Sequence, residues 1–106
     1  MTPAEQWSEL ADAIVAESAA DPDPAVRFVS SALQVRRKMF ALLAKDQLVV
    51  KLPAARVAAL IAAGDGQPYD PGTGKPQREY LAIPASGVER WLPLAREAKA
   101  FVRSKR

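Results

Sequence analysis

The chain has 106 residues, 49% apolar and 25% charged, a length and composition that suit one globular domain with a buried core. It contains no histidine and no cysteine, which excludes Ser-His and Cys-His nucleophilic machinery, disulfide staples and the usual ligands of zinc and copper. The net charge of +3 conceals an asymmetry: residues 1–25 carry Glu5, Glu9, Asp12, Glu17, Asp21 and Asp23 with no Lys or Arg, so the remainder carries +9.

No apolar run approaches the ~20 residues that span a bilayer. The N-terminus "MTPAEQW" lacks the basic, apolar, small-residue order of a signal peptide. Together with the absence of thiols, this leads to the expectation of a cytoplasmic protein without a membrane segment.

In chain order, a helix is predicted over 3–19. Thr2-Pro3-Ala4-Glu5 reads as a capping box with proline at the first helical position. Trp7, Leu10, Ala11, Ile14, Val15 and Ser18 fall on one face, and the opposite face is acidic. "DPDP" at 21–24 ends the helix, because a residue before proline avoids the helical region.

Strands follow at 26–29 ("VRFV"), within 32–44 ("ALQVRRKMFALLA") and at 47–52 ("QLVVKL"). The 32–44 run reads as one long strand, or as strands 32–36 and 38–44 if Arg36-Arg37 forms a turn. Lys45-Asp46 is the better turn. Pro53 then opens a helix over 54–63, with Val57, Leu60 and Ile61 as its apolar stripe and Gly64 as its stop. "QPY" at 67–69 is an edge strand, because Pro68 cannot donate to a ladder. A further strand covers 78–83.

The last helix is predicted over 87–103. Ser86-Gly87-Val88-Glu89 has the spacing of a capping box, and Trp91, Leu94, Ala95, Ala98, Phe101 and Val102 form a buried stripe. Pro93 lies too deep for a helix capped at Ser86, so the helix either kinks there or begins its regular part near Arg90. One domain, 1–106, accounts for the whole pattern.

"YDPGTGKPQREY" at 69–80 invites a phosphate-loop reading. A Walker loop ending at Gly74-Lys75 would need glycine at 69 and a Ser or Thr at 76, followed by a helix. The chain has Tyr69 and Pro76, followed by a strand. A turn built on Asp70-Pro71-Gly72 suffices, with Lys75 and Arg78 within reach of a partner. No cofactor or metal is expected and no catalytic residues are assigned. Asp65, Asp70 and Glu79 flank this connector and form the best available carboxylate group.

Several of these pieces together resemble the TfoX/Sxy N-terminal domain family and its MmcQ/YjbR-like kin. The likeness rests on "LVVKLP" (Leu48 to Pro53), Arg56-Val57 and a Gly-x-x-Tyr-Asp-Pro-Gly turn (Gly66 to Gly72), and it spans about residues 26–102. Arg36-Arg37 stands where many relatives have a glycine-rich turn, and Tyr80 where tryptophan is frequent. The resemblance implies an α+β domain of order α-β-β-β-α-β-β-α, with a five-stranded antiparallel sheet and three helices, and no catalytic set. TfoX proteins are linked to regulation of DNA uptake, and their kin are often called DNA-binding.

Two functional expectations result. The strands alternate poorly: whichever of Met39/Ala41/Leu43 and Phe40/Leu42 faces the helices, the other set needs cover, with Val29, Val49 and Tyr80 beside it. A protein partner or a second copy of the chain would supply that cover, which makes this a non-enzymatic binding or regulatory domain. The alternative is a nucleic-acid accessory protein. It would use Arg96, Lys99, Arg103, Lys105 and Arg106 on the last helix, joined by Arg36, Arg37 and Lys38. Against this second expectation, basic residues also favour a helix C-terminus through its dipole.

Overall fold

The computed structural model describes residues 2–19, 26–29, 32–35, 38–70, 74–75 and 77–104. Three helices and an antiparallel sheet form an α+β domain. In order these are α1 (Pro3–Ala19), β1 (Val26–Val29), β2 (Ala32–Val35), β3 (Lys38–Ala44), β4 (Gln47–Lys51), α2 (Ala54–Ala62), β5 (Gln67–Tyr69), β6 (Gln77–Ile83), a 3₁₀ segment (Ala85–Arg90) and α3 (Trp91–Ser104). The 32–44 run divides into β2 and β3, so the sheet has six strands, ordered β1-β2-β3-β4-β6-β5. Val35 pairs with Lys38 at the division, and Arg36 and Arg37 lie outside the described residues.

The local signals act as their chemistry requires. The Thr2 Oγ1 accepts from the Glu5 amide at 3.2 Å while Glu5 Oε1 accepts from the Thr2 amide at 3.2 Å, closing the capping box. At the end of α2, the Gly64 amide donates to the Ile61 carbonyl and the Asp65 amide to the Leu60 carbonyl, with Gly64 at φ +80°. This is a Schellman cap, and its left-handed residue is the reason for glycine there. Lys45 and Asp46 form the two-residue turn between β3 and β4, both with positive φ (51° and 62°).

The capping box at Ser86 does not form. Pro84 occupies the N-cap of the 3₁₀ segment without a side-chain cap, and α3 proper starts at Trp91. Pro93 thereby falls in the first turn of α3, where its missing N–H costs no intrahelical bond. Trp91 is buried, and its indole N–H donates to the Pro84 carbonyl at 3.3 Å.

All three helices lie on one side of the sheet. Trp7, Leu10 and Ile14 of α1, Val57 and Leu60 of α2, and Trp91, Leu94, Ala98 and Val102 of α3 join Leu33, Val35, Leu48, Val50, Leu81 and Ile83 of the strands in one core. Val15, predicted on the buried stripe of α1, is instead 39% exposed.

A β-bulge explains the poor alternation of 38–44. Leu33 pairs with Ala41 but Gln34 with Met39, so Phe40 is the extra residue of β3. The bulge turns Phe40 and Ala41 both into the core, with Leu43 packed against it. Met39 and Leu42 are left to the other side. Neither alternating set predicted from sequence faces the helices as a unit, because the bulge changes the period midway.

Candidate functional site

The sheet surface away from the helices is the candidate site. Register aligns Ala32, Leu42, Val49 and Ala82 in one row across four adjacent strands. Val49 and Ala82 are buried yet stand outside the core formed with the helices, and Leu42 is half-buried. Met39 and Ala44 extend the apolar surface along β3. Val49 and Ala82 are 0% and 2% exposed, so the open part of the row is Ala32 and Leu42. The cover that the sequence analysis asked for is not supplied by α1, α2 or α3, whose buried residues all belong to the core on the opposite side. The side chain of Val29 lies outside the described residues.

One end of this face is polar and aromatic. Lys51 pairs with Tyr80, and its ammonium lies 5.9 Å from the centre of the Tyr80 ring. Tyr69 meets Tyr80 edge-to-face with ring centres 6.1 Å apart. Both tyrosines are half-buried. Arg78 is exposed near this end, within the irregular pairing of β6 with β5.

Two ion pairs set the direction of α3. Arg90, just before α3, pairs with Asp65 after α2 at 3.0 Å, and Glu97 pairs with Arg56 in the first turn of α2 at 2.8 Å. The helices therefore run antiparallel, and the later part of α3, with Lys99 and Arg103, points to the end of the sheet where β4 finishes and β6 starts. Donating hydrogen bonds to the Glu97 carboxylate raises Arg56 above its usual guanidinium value.

The predicted basic stripe divides. Arg96 grips Glu17 of α1 with contacts of 2.6 to 3.2 Å. Hydrogen bonding from Arg96 holds the Glu17 carboxyl below its usual value, with a further attraction from Lys99. Part of the charge asymmetry is thus settled within the domain, acidic helix against basic helix. Arg103 is half-buried and Lys38 exposed. Arg36, Arg37, Lys105 and Arg106 lie outside the described residues.

The carboxylate group does not assemble. Asp65 and Asp70 flank opposite ends of β5, Asp65 holds Arg90, and Asp70 Oδ2 accepts from the Gly74 amide at 3.1 Å. Among the described residues no three His, Cys, Asp or Glu side chains gather in a metal-ligating cluster. Two shallow grooves flank α1: one against the start of α3, between Glu9, Leu10, Val88 and Trp91, and one along Ser8, Asp12 and Val15. No described helix is long and apolar enough to cross a membrane.

Comparison with protein-family models, with curated proteins and with solved structures finds no match.

Proposed function

We propose that this chain is a binding domain rather than an enzyme, and that it pairs with a second copy of itself through the part-exposed β2–β3 side of the sheet face away from the helices. The observation that carries the reading is the apolar surface of Ala32, Met39, Leu42 and Ala44, part-exposed beside the buried Val49 and Ala82 on the sheet side away from the helices. An antiparallel sheet tolerates water on one face when that face is polar, and this row is not.

Symmetry favours a second copy. A two-fold axis parallel to the strands reverses their order and lets the part-exposed Leu42 of each copy meet the same face of the other, as an isologous contact requires. The row itself carries no charge, so no buried ion needs a partner. The likeness of "LVVKLP" and "YDPG" to TfoX N-terminal domains supports a regulatory use of such a pair.

Area sets the strength. Six strands about 4.8 Å apart and roughly five residues long give a face of about 500 Å² in plan. Stable interfaces bury about 800 Å² per partner, so this one falls at the weak end, with dissociation in the micromolar range or above. Light scattering coupled to size exclusion, from about 1 to 500 µM, tests the reading. The mass should rise from monomer to dimer across that range, and Leu42→Glu should hold it at monomer. A wild-type chain that stays monomeric at the highest concentration would sink the proposal.

A further inference from the structure

A second surface runs along α1. Ala4, Ser8, Ala11 and Val15 succeed one another at steps of four, three and four residues, the spacing that aligns side chains in one seam of a helix. This seam borders the face that carries Trp7, Leu10 and Ile14 into the core, and Ala11, 4% exposed, belongs to both. Ser8, Ala11, Asp12 and Val15 line a groove of about 320 Å³. Val15 is 39% exposed, the one large apolar side chain that stands exposed among the described residues. Ala4 and Ser8 are exposed beside it. Alanine and serine let another helix approach α1 closely, and Val15 gives it an apolar contact.

Charge decides which kind of helix fits. α1 carries Glu5, Glu9, Asp12 and Glu17 and no Lys or Arg. Arg96 holds Glu17, and Arg90 is paired with Asp65 and Glu89. Glu9 and Asp12 are exposed and pair with no cation among the described residues. Glu5, Glu9 and Asp12, at steps of four and three, run beside the seam, and Asp12 also lines the groove. A two-fold mate would set α1 against α1 and carboxylate against carboxylate, so a second copy does not fit here. An anionic lipid surface or any other polyanion is repelled in the same way. A small molecule would keep much of its surface in water in so shallow a groove. A helix with an apolar stripe flanked by Lys or Arg satisfies both the groove and the carboxylates.

We propose that the groove along α1 docks a basic amphipathic helix of another protein. The apolar stripe of that helix lies on Ala4, Ala11 and Val15, and its cations meet Asp12, Glu9 and Glu5. This goes beyond the pairing reading and does not depend on it. α1 packs on the side of the sheet opposite Leu42, so docking neither requires the pair nor blocks it.

The test is fluorescence anisotropy with a labelled synthetic helix of about 18 residues, made of Ala, Lys and Leu with Leu at alternating three- and four-residue steps. It is titrated with the full chain at about 50 and about 500 mM NaCl. Binding should appear in the micromolar range at the lower salt and weaken about five-fold or more at the higher, where the charges are screened. Val15→Lys, which puts a cation and a longer side chain in the groove, should weaken binding about 10-fold or more. Asp12→Asn should weaken it about three-fold, as loss of one exposed ion pair does. Leu42→Glu, on the other side of the sheet, should leave it within about two-fold of wild type. A thermal melt followed by circular dichroism confirms that each variant is folded. Four results would overturn the proposal: no binding at the lower salt, equal binding of a peptide of the same composition with its Leu residues scattered round the helix, a folded Val15→Lys that binds as tightly as wild type, or loss of binding in a folded Leu42→Glu.

Discussion

The turn between β3 and β4 is the place where local and tertiary demands conflict most plainly. Lys45 and Asp46 both adopt positive φ, 51° and 62°, and neither is glycine. The left-handed region costs an L-residue roughly 1–2 kcal/mol, less for Asp, whose short polar side chain tolerates it. The hairpin imposes it because Ala44 pairs with Gln47 across a two-residue connection, which favours the primed turns. Replacing the pair by Asn-Gly relieves most of that strain. Glycine gives back about 0.5–1 kcal/mol through its freer unfolded chain. The net expectation is about 1 kcal/mol of added stability, or a melting temperature higher by about 4 °C for a domain of this size. Because one cation and one anion are removed together, net charge stays at +3 and electrostatics do not confound the comparison. Thermal unfolding by circular dichroism measures the effect. Asp46→Val, a β-branched residue forced to positive φ, should lower the melting temperature by several degrees. An Asn-Gly variant no more stable than wild type, or an Asp46→Val variant equal to it, would refute the strain argument.

Other sites give sharp expectations. Gly66 packs so closely on β6 that an added Cβ would stand 2.6 Å from the Leu81 side chain, so Gly66→Ala should cost about 1–3 kcal/mol in a urea titration. Phe40, the bulged residue, is fully buried, and Phe40→Ala should cost about 3–5 kcal/mol; a loss below 1 kcal/mol would mean that the bulge does not turn the ring into the core. Glu17 is held below its ordinary carboxyl value by hydrogen bonds from Arg96. A carboxylate lowered in the folded state stabilises fully above its unfolded pKa and stops doing so as pH falls through the folded one. Stability measured from pH 6 down to pH 3 should therefore fall less steeply in Glu17→Gln than in wild type, by a small amount because the pair is exposed.

Much of the fold was legible in the residues because its signals are local. Thr2 and Glu5 cap α1, Pro53 and Gly64 bound α2, and Pro68 marks an edge strand, each by chemistry confined to one turn or one strand. The start of α3 was legible only through the objection of Pro93, which outweighed the capping-box spacing at Ser86. The candidate site was less legible. The basic stripe on the last helix was visible as charge, but Arg96 spends its donors on Glu17, 79 positions away in the chain. The tyrosine pair was invisible, since Tyr69 and Tyr80 come together only because β5 lies beside β6.

The sequence by itself determined α1, α2, β4, the Lys45-Asp46 turn and the unbalanced charge, since each depends on residues a few positions apart; the division of 32–44 and the start of α3 stayed open. Tertiary structure decided the rest. Strand β6 lies between β4 and β5, all three helices share one side, and the bulge at Phe40 assigns Met39 and Leu42 to the side away from the helices. The reason is physical. Periodicity tells which residues of one element share a side, but which side meets the helices, and which cations end up beside which rings, depends on pairings between segments that no local pattern encodes.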